Sequence, residues 1–295
     1  MNIRTILKNT FYRVMPRKVC ISHIYKKVIG KNLQWNSPKT LNEKIQWLKL
    51  YSDTSLWTRC ADKYLVRKYV EEHGLAEALV PLYGVYKSAN EIDFSKLPKS
   101  FVLKVNNGSG DAIIVRDKGS IDETMTKEQL QKDLNRKFGL NQTEYHYLQI
   151  PPRIVCEKLL VDSSRPNEAI LDYKIWCFNG KPHSIFAISN RTKDSFQMYL
   201  YDLNWNPIGD GKLNYSSHHR KGTSELPRPV SLNKMIEYAR ILSKDIPQVR
   251  VDFYEIDGKI YFGEMTFTSN GGYMKYFTPE YLLEMGNLFK LPAKR

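Results

Sequence analysis

The sequence predicts an α+β fold, in which helices alternate with short antiparallel strand pairs. Two dipeptides, Asn179-Gly180 and Asp257-Gly258, each stand between runs rich in apolar and β-branched residues. Such dipeptides are the strongest short-range signal for a β-hairpin. Segments with helix-capping signals separate these pairs, and the chain has no internal repeat. This order favours α+β over a doubly wound parallel sheet.

Four segments carry helix signals. In SPKTLNEKIQWLKLY, Thr40 and Glu43 have the spacing of a capping box, and an apolar stripe with helical period follows. Thr126 and Gln129 repeat that spacing in a later segment. Helices are therefore predicted from residue 40 to residue 51 and over 62–74, 126–138 and 231–244.

The remaining apolar runs have the length and composition of strands. A short strand is expected over 79–86, and a strand, turn and second strand in FVLKVNNGSGDAIIV from residue 101. Further strands are expected in IPPRIVCEKLL, in the hairpin LDYKIWCFNGKPHSIFAIS, in a pair around Asn204 to Asn206, and in the final hairpin QVRVDFYEIDGKIYFGEMTF.

Charge is the unusual feature of the composition. Forty-five Lys and Arg residues against 31 Asp and Glu residues give a formal net charge of +14, which favours an anionic partner. The basic residues are spread along the chain without an RNP-like or zinc-finger pattern, so no nucleic-acid partner is expected. The four cysteines show no CxxC or zinc spacing, which is typical of a reduced, cytoplasmic protein.

Residues 1–36 are basic and intermittently apolar. Charges interrupt every apolar stretch, so neither a signal peptide nor a membrane span is expected here. Two interpretations remain open: a helical appendage packed on the domain, or an interfacial helix that contacts anionic lipid at the inner face of the cell membrane. Pro16 would divide such a helix.

In FVLKVNNGSG a lysine precedes the glycines, and neither common phosphate-binding motif fits. A Walker loop needs Lys-Ser/Thr after its last glycine, and the dinucleotide fingerprint needs a third glycine at position 113. Lys104 could instead project from a strand while the backbone N–H groups of Asn107 to Gly110 close over a polyphosphate. The alternative is an exposed lysine on an edge strand beside an ordinary hairpin turn.

In the last hairpin, Arg250 and Asp252 share one face. A two-residue loop at Asp257-Gly258 pairs Asp252 with Gly263 and turns Glu264 to the opposite face. An odd loop pairs Asp252 with Glu264 directly, and two adjacent carboxylates suit a hard cation such as Mg²⁺ whose octahedron is completed by phosphate oxygens. Spacing alone leaves both registers open.

The serial order of these blocks resembles the ATP-grasp superfamily, and within it the TupA-like family named for teichuronopeptide biosynthesis. The resemblance extends from about residue 37 to residue 292, and its strongest blocks are SPKTLNEKIQWLKLY, ADKYLVRKYV, FVLKVNNGSG, DYKIWCFNGKP and VRVDFYEIDGKIYFGEMTF. It implies that ATP lies between two α+β subdomains. The expected organisation is a basic appendage at 1–36, a helical substrate region at 37–95, one subdomain at 96–160 and a second at 161–295.

The resemblance also implies roles for particular residues. Lys63 and Lys104 match the phosphate-binding lysines, and Asp172, with Glu168 as the alternative, matches the acidic residue that holds the ribose. The loop that covers the phosphates corresponds to Asn107, Gly108, Ser109 and Gly110, and the adenine-binding segment corresponds to Glu157, Lys158 and Leu159.

Asp252 and Glu264 match the Mg²⁺ ligands, and Arg250 matches an arginine at the transferring phosphate. Many superfamily ligases have an asparagine two residues after the glutamate, where this chain has Thr266, so Thr266 and Asn270 are alternatives for a third ligand. Lys174 is expected to face phosphate, the acceptor substrate or a carboxylate.

The implied activity is an ATP-dependent carboxylate–amine ligase that forms an amide through an acyl phosphate. The expected substrates are an amine, such as an amino acid or amino sugar, and an anionic glycan or its lipid-linked precursor. A phosphotransferase acting on a sugar hydroxyl and a glycosyltransferase are the alternatives. No Ser/His/Asp or Cys/His set suggests a covalent enzyme nucleophile.

Overall fold

The computed structural model describes residues 12, 14–110, 112–163, 165 and 168–295. Residues 1–11 and 13 of the predicted basic appendage therefore lie outside the described residues. Of that appendage, the segment after Pro16 is helical, which both open interpretations require. None of the helices in the described ranges is both long enough and apolar enough to cross a membrane.

Seven α-helices and ten strands make up the described fold. The helices are α1 (Arg17–Ile29), α2 (Leu41–Tyr51), α3 (Ser55–Ala61), α4 (Leu65–Glu72), α5 (Glu123–Leu134), α6 (Leu232–Leu242) and α7 (Pro279–Asn287). The strands are β1 (Leu82–Tyr86), β2 (Phe101–Val105), β3 (Ile113–Val115), β4 (Ile154–Lys158), β5 (Asp172–Phe178), β6 (Lys181–Ser189), β7 (Phe196–Tyr201), β8 (His219–Lys221), β9 (Gln248–Ile256) and β10 (Lys259–Thr266).

The strands form two sheets, so the α+β prediction is confirmed. The smaller sheet has the order β1-β4-β2-β3 and is antiparallel throughout. The larger has the order β10-β9-β5-β6-β7-β8, and only its β7–β8 pair is parallel. Strand β1, which precedes residue 96 in the chain, is hydrogen-bonded into the smaller sheet. Each sheet has its own apolar core: α5 covers the smaller sheet, and residues of α2, α3, α4, α6 and α7 pack with the larger.

The local turn and capping signals are mostly confirmed. Both residues of each predicted hairpin turn have positive φ: 49° and 73° at Asn179 and Gly180, and 50° and 75° at Asp257 and Gly258. This is the requirement of a type I′ turn, which matches the twist of the strands. The capping box of α2 is present as predicted, with the Thr40 hydroxyl accepting from the Glu43 backbone N–H.

Two local predictions are wrong. Helix α5 begins earlier than expected, because the Asp122 side chain accepts from the backbone N–H of Met125 and caps the helix there, which leaves Thr126 inside the helix. The strand pair around Asn204 to Asn206 is reduced to a single bridge between Tyr201 and Pro207. The Asp202 carboxylate accepts from the backbone N–H groups of two loop residues and so stabilises a loop in place of a strand.

Candidate active site

The register of the β9–β10 hairpin brings Asp252 and Glu264 together by a route that neither open alternative contained. The loop has two residues, since Lys259 pairs with Ile256, but a bulge at Gly263 shifts the register so that Glu264 stands opposite Asp252. A Cβ atom at residue 263 would lie 3.0 Å from the Asp252 carbonyl oxygen, which explains the glycine at this position. The two carboxylates therefore lie side by side on one face of the larger sheet.

Asp252 is 1% exposed and is held by two cations. Arg250 donates from Nε to Oδ1 and from Nη2 to Oδ2, both at 2.7 Å, and Lys174 Nζ lies 2.5 Å from Oδ2. Burial by itself raises the pKa of Asp252, but Arg250 and Lys174 outweigh it and hold the pKa below its usual range. The aspartate is thus a buried anion.

Lys174 lies between two aspartates. It is the register partner of Asp252 on the neighbouring strand β5, and its Nζ is also 2.6 Å from Asp172. Burial lowers the pKa of Lys174, but the two carboxylates outweigh this and raise it overall, so the lysine carries its charge. Asp172 Oδ1 is buried and has no hydrogen-bond partner among the described residues. A buried acceptor without a partner is suited to a hydroxyl of a bound molecule.

Glu264 is the accessible carboxylate of the cluster, with 44% of its side chain exposed. Its Oε1 accepts from Arg250 Nη2 at 3.0 Å and from the Thr266 hydroxyl at 3.0 Å. Arg250 also donates to Ser269 Oγ at 2.6 Å. The side chain of Asn270, by contrast, is exposed and donates to the backbone carbonyl of Tyr273. Of the two alternatives for a third ligand, Thr266 is the one that the structure places beside Glu264.

A second group of charges lies on and beside the smaller sheet. Lys104 is on β2, which is an interior strand, so the interpretation of this residue as an edge lysine is wrong. Its Nζ lies 2.5 Å from Glu157 on β4, and Arg67 approaches the same carboxylate at 3.5 Å. Lys63 precedes α4, and its Nζ donates to the backbone carbonyl of Gly108 in the glycine-rich turn.

The two groups of charges face one another. The pKa of Lys63 is lowered to about 8, mainly by burial. Glu264 raises this pKa, whereas Lys104 lowers it further. Lys63 is thus within electrostatic reach of Glu264 on the larger sheet and of Lys104 on the smaller. The structure therefore brings the two predicted phosphate-binding lysines and the predicted metal-binding carboxylates to one site.

The other predicted nucleotide contacts are distributed around this site. In the turn, Asn107 and Gly108 are buried, whereas Ser109 and Gly110 are exposed, and Gly110 has a φ of 83°. The Lys158 side chain is exposed, and its backbone N–H donates to Pro81. Leu159 is half-buried beside it. Glu168, the alternative to Asp172, is exposed and lies 3.6 Å from Arg165.

Asn106 was not predicted from the sequence, although it organises the lysine side of the site. It is fully buried, and its amide donates to Asp62 Oδ1 at 2.9 Å and to the carbonyl of Pro151. Its side-chain oxygen accepts from the backbone N–H of Arg153, and its carbonyl accepts from that of Lys63. One side chain thus joins three separate segments. The signal in the sequence that could have indicated Asn106 is its position as a polar residue directly after the apolar strand β2.

Glu144 and Tyr147 were also missed. Burial raises the pKa of Glu144, whose carboxylate accepts from the Thr268 hydroxyl at 2.5 Å. Burial, Glu144 and Glu264 raise the pKa of Tyr147 well above its usual value. No pattern in the sequence indicates the contact of Glu144 with Thr268, because 124 positions separate the two residues.

The two sheets, together with the order of lysines, glycines and carboxylates across them, define an ATP-grasp protein. A sequence model of the family described as TupA-like ATPgrasp matches residues 43–290. The chain belongs to the TupA-like ATP-grasp family.

Among solved structures, the chain is similar to D-alanine–D-alanine ligase from Bacillus anthracis complexed with ATP, with 17% identity over 74% of this chain and 57% of that one and a TM-score of 0.45. It is also similar to L-amino acid ligase from Bacillus licheniformis, with 14% identity over 86% of this chain and 56% of that one and a TM-score of 0.46. The chain thus spans little more than half the length of either ligase. No protein of curated function matches the sequence.

Replacement of Asn106 by alanine is expected to destabilise the protein by about 2–3 kcal/mol, because several buried partners lose their hydrogen bonds at once. Urea unfolding followed by circular dichroism measures this difference. Asn90→Ala, at an exposed position, is the matched control and should change stability by less than about 0.5 kcal/mol. Equal losses for the two variants would show that Asn106 does not join these segments.

Proposed function

We propose that the protein is an ATP-dependent ligase that joins a carboxylate to an amine through an acyl phosphate. The observation that carries this proposal is the convergence of four cations on one acidic pair: Lys174 and Arg250 beside Asp252 and Glu264, with Lys63 and Lys104 opposite. Such a set can neutralise a polyphosphate and a transferring phosphoryl group, which need positioning and charge stabilisation more than covalent chemistry.

ATP would be bound across the two sheets. Lys63, Lys104 and the backbone of Asn107 to Gly110 would hold its phosphates, and the backbone of Glu157 to Leu159 would meet the adenine edge. The carboxylate of Glu157 already pairs with Lys104, which favours main-chain contacts for the base. Asp172 is the better candidate for the ribose than Glu168, because its unpartnered Oδ1 can accept from a sugar hydroxyl.

The acidic pair is suited to Mg²⁺. Asp252 and Glu264 supply hard carboxylate oxygens, and the Glu264 side chain is 44% exposed, so a phosphate-bound ion could reach it. No group of three or more metal-binding side chains exists within the described ranges, so phosphate oxygens and water would complete the coordination. Thr266 is a better supported third oxygen than Asn270. When bound, the ion would offset the negative charge of the phosphates.

In the proposed reaction, a substrate carboxylate attacks the γ-phosphorus of ATP, and the bond to the β-phosphate oxygen breaks to release ADP. The amine then attacks the acyl carbon, an amide forms, a proton leaves the nitrogen and inorganic phosphate departs. Arg250 and Lys174 would stabilise the charge that develops on the phosphoryl oxygens. The four cysteines are free and buried, which agrees with a route that uses no enzyme nucleophile.

The proposed acid is a uronic acid or similar group on a cell-surface polysaccharide or its lipid-linked precursor, and the proposed amine is an amino acid or amino sugar. The net charge of +14 supports an anionic acceptor.

Incubation with ATP, Mg²⁺ and paired acids and amines is expected to release phosphate only when both partners are present. Lys104→Ala and Glu264→Ala should each lower turnover at least about 100-fold. Both side chains are partly exposed, so the loss of stability should be small. Lys132→Gln, on the exposed face of α5, is the control. A stable phosphorylated sugar without free phosphate would identify a phosphotransferase and overturn the ligase assignment.

ATP affinity is expected to fall as pH rises through about 8, because Lys63 is charged below its pKa of about 8 and neutral above it. Calorimetric titration with ATP across this range measures the change. In Lys63→Gln, affinity should already be weak at neutral pH and should not fall further at that point. A fall of the same size in the variant would assign the titration to another group.

The exposed face of α1 supports the predicted contact with anionic membrane. The first 42 residues contain nine Lys and Arg residues and no Asp or Glu, so they supply most of the net charge. The inner face of α1 packs against Tyr145 and Tyr273, close to the segment that follows β10. The outer face is exposed and basic, with Arg17, Lys18, Lys26, Lys27 and Lys31.

The protein is expected to sediment with phosphatidylcholine vesicles that contain phosphatidylglycerol, and not with phosphatidylcholine alone. The double variant Lys26→Gln/Lys27→Gln should lose about 2 kcal/mol of binding free energy, since each basic side chain near an anionic surface contributes about 1 kcal/mol. Lys132→Gln/Lys244→Gln removes the same charge from other exposed positions. Equal weakening by both pairs would mean that α1 is not the contact surface.

A further inference from the structure

A cavity of about 310 Å³ opens at the β7 edge of the larger sheet, and no role assigned above uses it. It exists because β8 pairs with β7 over three residues only. Beyond Lys221 the chain separates from β7 and forms a strap over residues 222–226. The cavity lies between this strap and the loops that hold Pro207 to Asp210 and Tyr215.

Both ends of the strap are anchored to aromatic side chains. At Gly222, a Cβ atom would lie 2.0 Å from the Tyr199 ring, so the ring can approach the main chain only because this residue is glycine. At the other end, the backbone N–H of Leu226 donates to the Tyr201 hydroxyl, and its carbonyl accepts from Trp205 Nε1. The Tyr201 and Trp205 rings are stacked 4.0 Å apart. The cavity therefore has a defined wall.

One residue of the cavity lining, Leu200, lies in the same row of the sheet as the acidic pair. Asp252 pairs with Lys174, Lys174 with Phe186, and Phe186 with Leu200, which lines the cavity. Residues directly opposite each other on neighbouring strands share a face, and strands are about 4.8 Å apart, so Leu200 lies about 10 Å from Lys174. Tyr199 and Tyr201 alternate with Leu200 on β7 and therefore point to the opposite face, so the cavity lies at the edge of the sheet and is lined by residues of both faces.

The loop that carries Tyr215 is also joined to the active site. The backbone N–H of Asn214 donates to the carbonyl of Tyr276 at 2.8 Å. The Tyr276 hydroxyl lies 2.9 Å from Ser269 Oγ, which accepts from Arg250. The Tyr276 ring stacks on Phe186, with the ring centres 5.3 Å apart. Tyr276 thus connects Arg250, through Ser269, with the loop that carries Tyr215.

The lining of the cavity is typical of a site for a neutral, hydroxyl-rich ligand. Tyrosine rings offer apolar faces with polar edges, and side chains that both donate and accept hydrogen bonds surround them. The nearest cation, Lys221, is already paired with Asp210 at 3.0 Å, so no excess positive charge is available for a phosphate. The lining includes Tyr199, Tyr201, Tyr215, Asp210, Lys221, Thr223, Ser224 and Glu225.

We propose that this cavity binds a neutral pyranose unit of the acceptor glycan, at the edge of the sheet that carries the acidic pair. This inference rests on the proposed function for the identity of the acceptor, and on the cavity alone for the chemistry of the ligand. A hexose ring has an apolar face for Tyr215 and hydroxyl groups for the polar side chains. The subsite would select glycans by the neutral sugar that neighbours the reacting sugar in the chain.

The test is saturation-transfer NMR, without ATP, on the full chain with neutral tetrasaccharides of glucose, galactose, mannose and N-acetylglucosamine. At least one should bind, and Tyr215→Ala should weaken that binding about tenfold, while Tyr215→Phe retains most of it because the ring remains. Tyr83→Ala is the control, since Tyr83 and Tyr215 are similarly exposed, at 41% and 39%.

Failure of every tetrasaccharide to bind, or equal weakening by Tyr215→Ala and Tyr83→Ala, would overturn the subsite. Because the measurement contains no ATP and no amine, it is independent of the ligase reaction. A protein that binds sugars here and releases no phosphate with any acid–amine pair would retain the subsite and lose the proposed function.

Discussion

The structure of the active site depends on one constraint: Asp252 is an almost fully buried anion that must be neutralised. Removing a carboxylate from water costs several kcal/mol unless charge and hydrogen bonds replace the lost hydration. Arg250 supplies a bidentate contact and Lys174 a third contact. These cations are in turn held by Asp172, Glu264 and Ser269. The positions of the surrounding side chains follow from this requirement.

The same constraint explains why charge is concentrated where two sheets meet. Lys174 and Arg250 are paired with carboxylates of the larger sheet, and Lys104 is paired with Glu157 of the smaller sheet. Lys63 shows the cost of this arrangement, because burial and Lys104 lower its pKa to about 8. A polyphosphate would relieve that cost. Lysines that lie close together destabilise the free protein by mutual repulsion, but they are suited to binding a polyphosphate.

The larger sheet extends the site in two directions. Towards β10 its carboxylate Glu264 is partly exposed, and beyond β7 the edge of the sheet opens into the cavity beside the strap over 222–226. Helix α1 approaches from another side through Tyr145 and Tyr273. A charged centre, a cavity lined by tyrosines and a basic helix therefore lie on one scaffold.

Local chemistry determined much of this protein. The two type I′ turns and the capping box at Thr40 could be predicted because each depends on residues within a few positions of each other. The serial order of lysine, glycines and carboxylates could be read directly along the chain. The family itself followed from that order. Where two local signals competed, the prediction failed: Asp122 rather than Thr126 begins α5, because its carboxylate reaches the first free N–H groups.

Only the tertiary structure decided how these parts combine. The pairing of Asp252 with Glu264 required a bulge at Gly263, which hairpin length alone does not reveal. The contact of Lys63 with Gly108, the joining of three segments by Asn106, and the approach of Glu144 to Thr268 each connect residues that lie more than 40 positions apart. The sequence specifies such contacts through packing of the whole chain, and no short pattern records them.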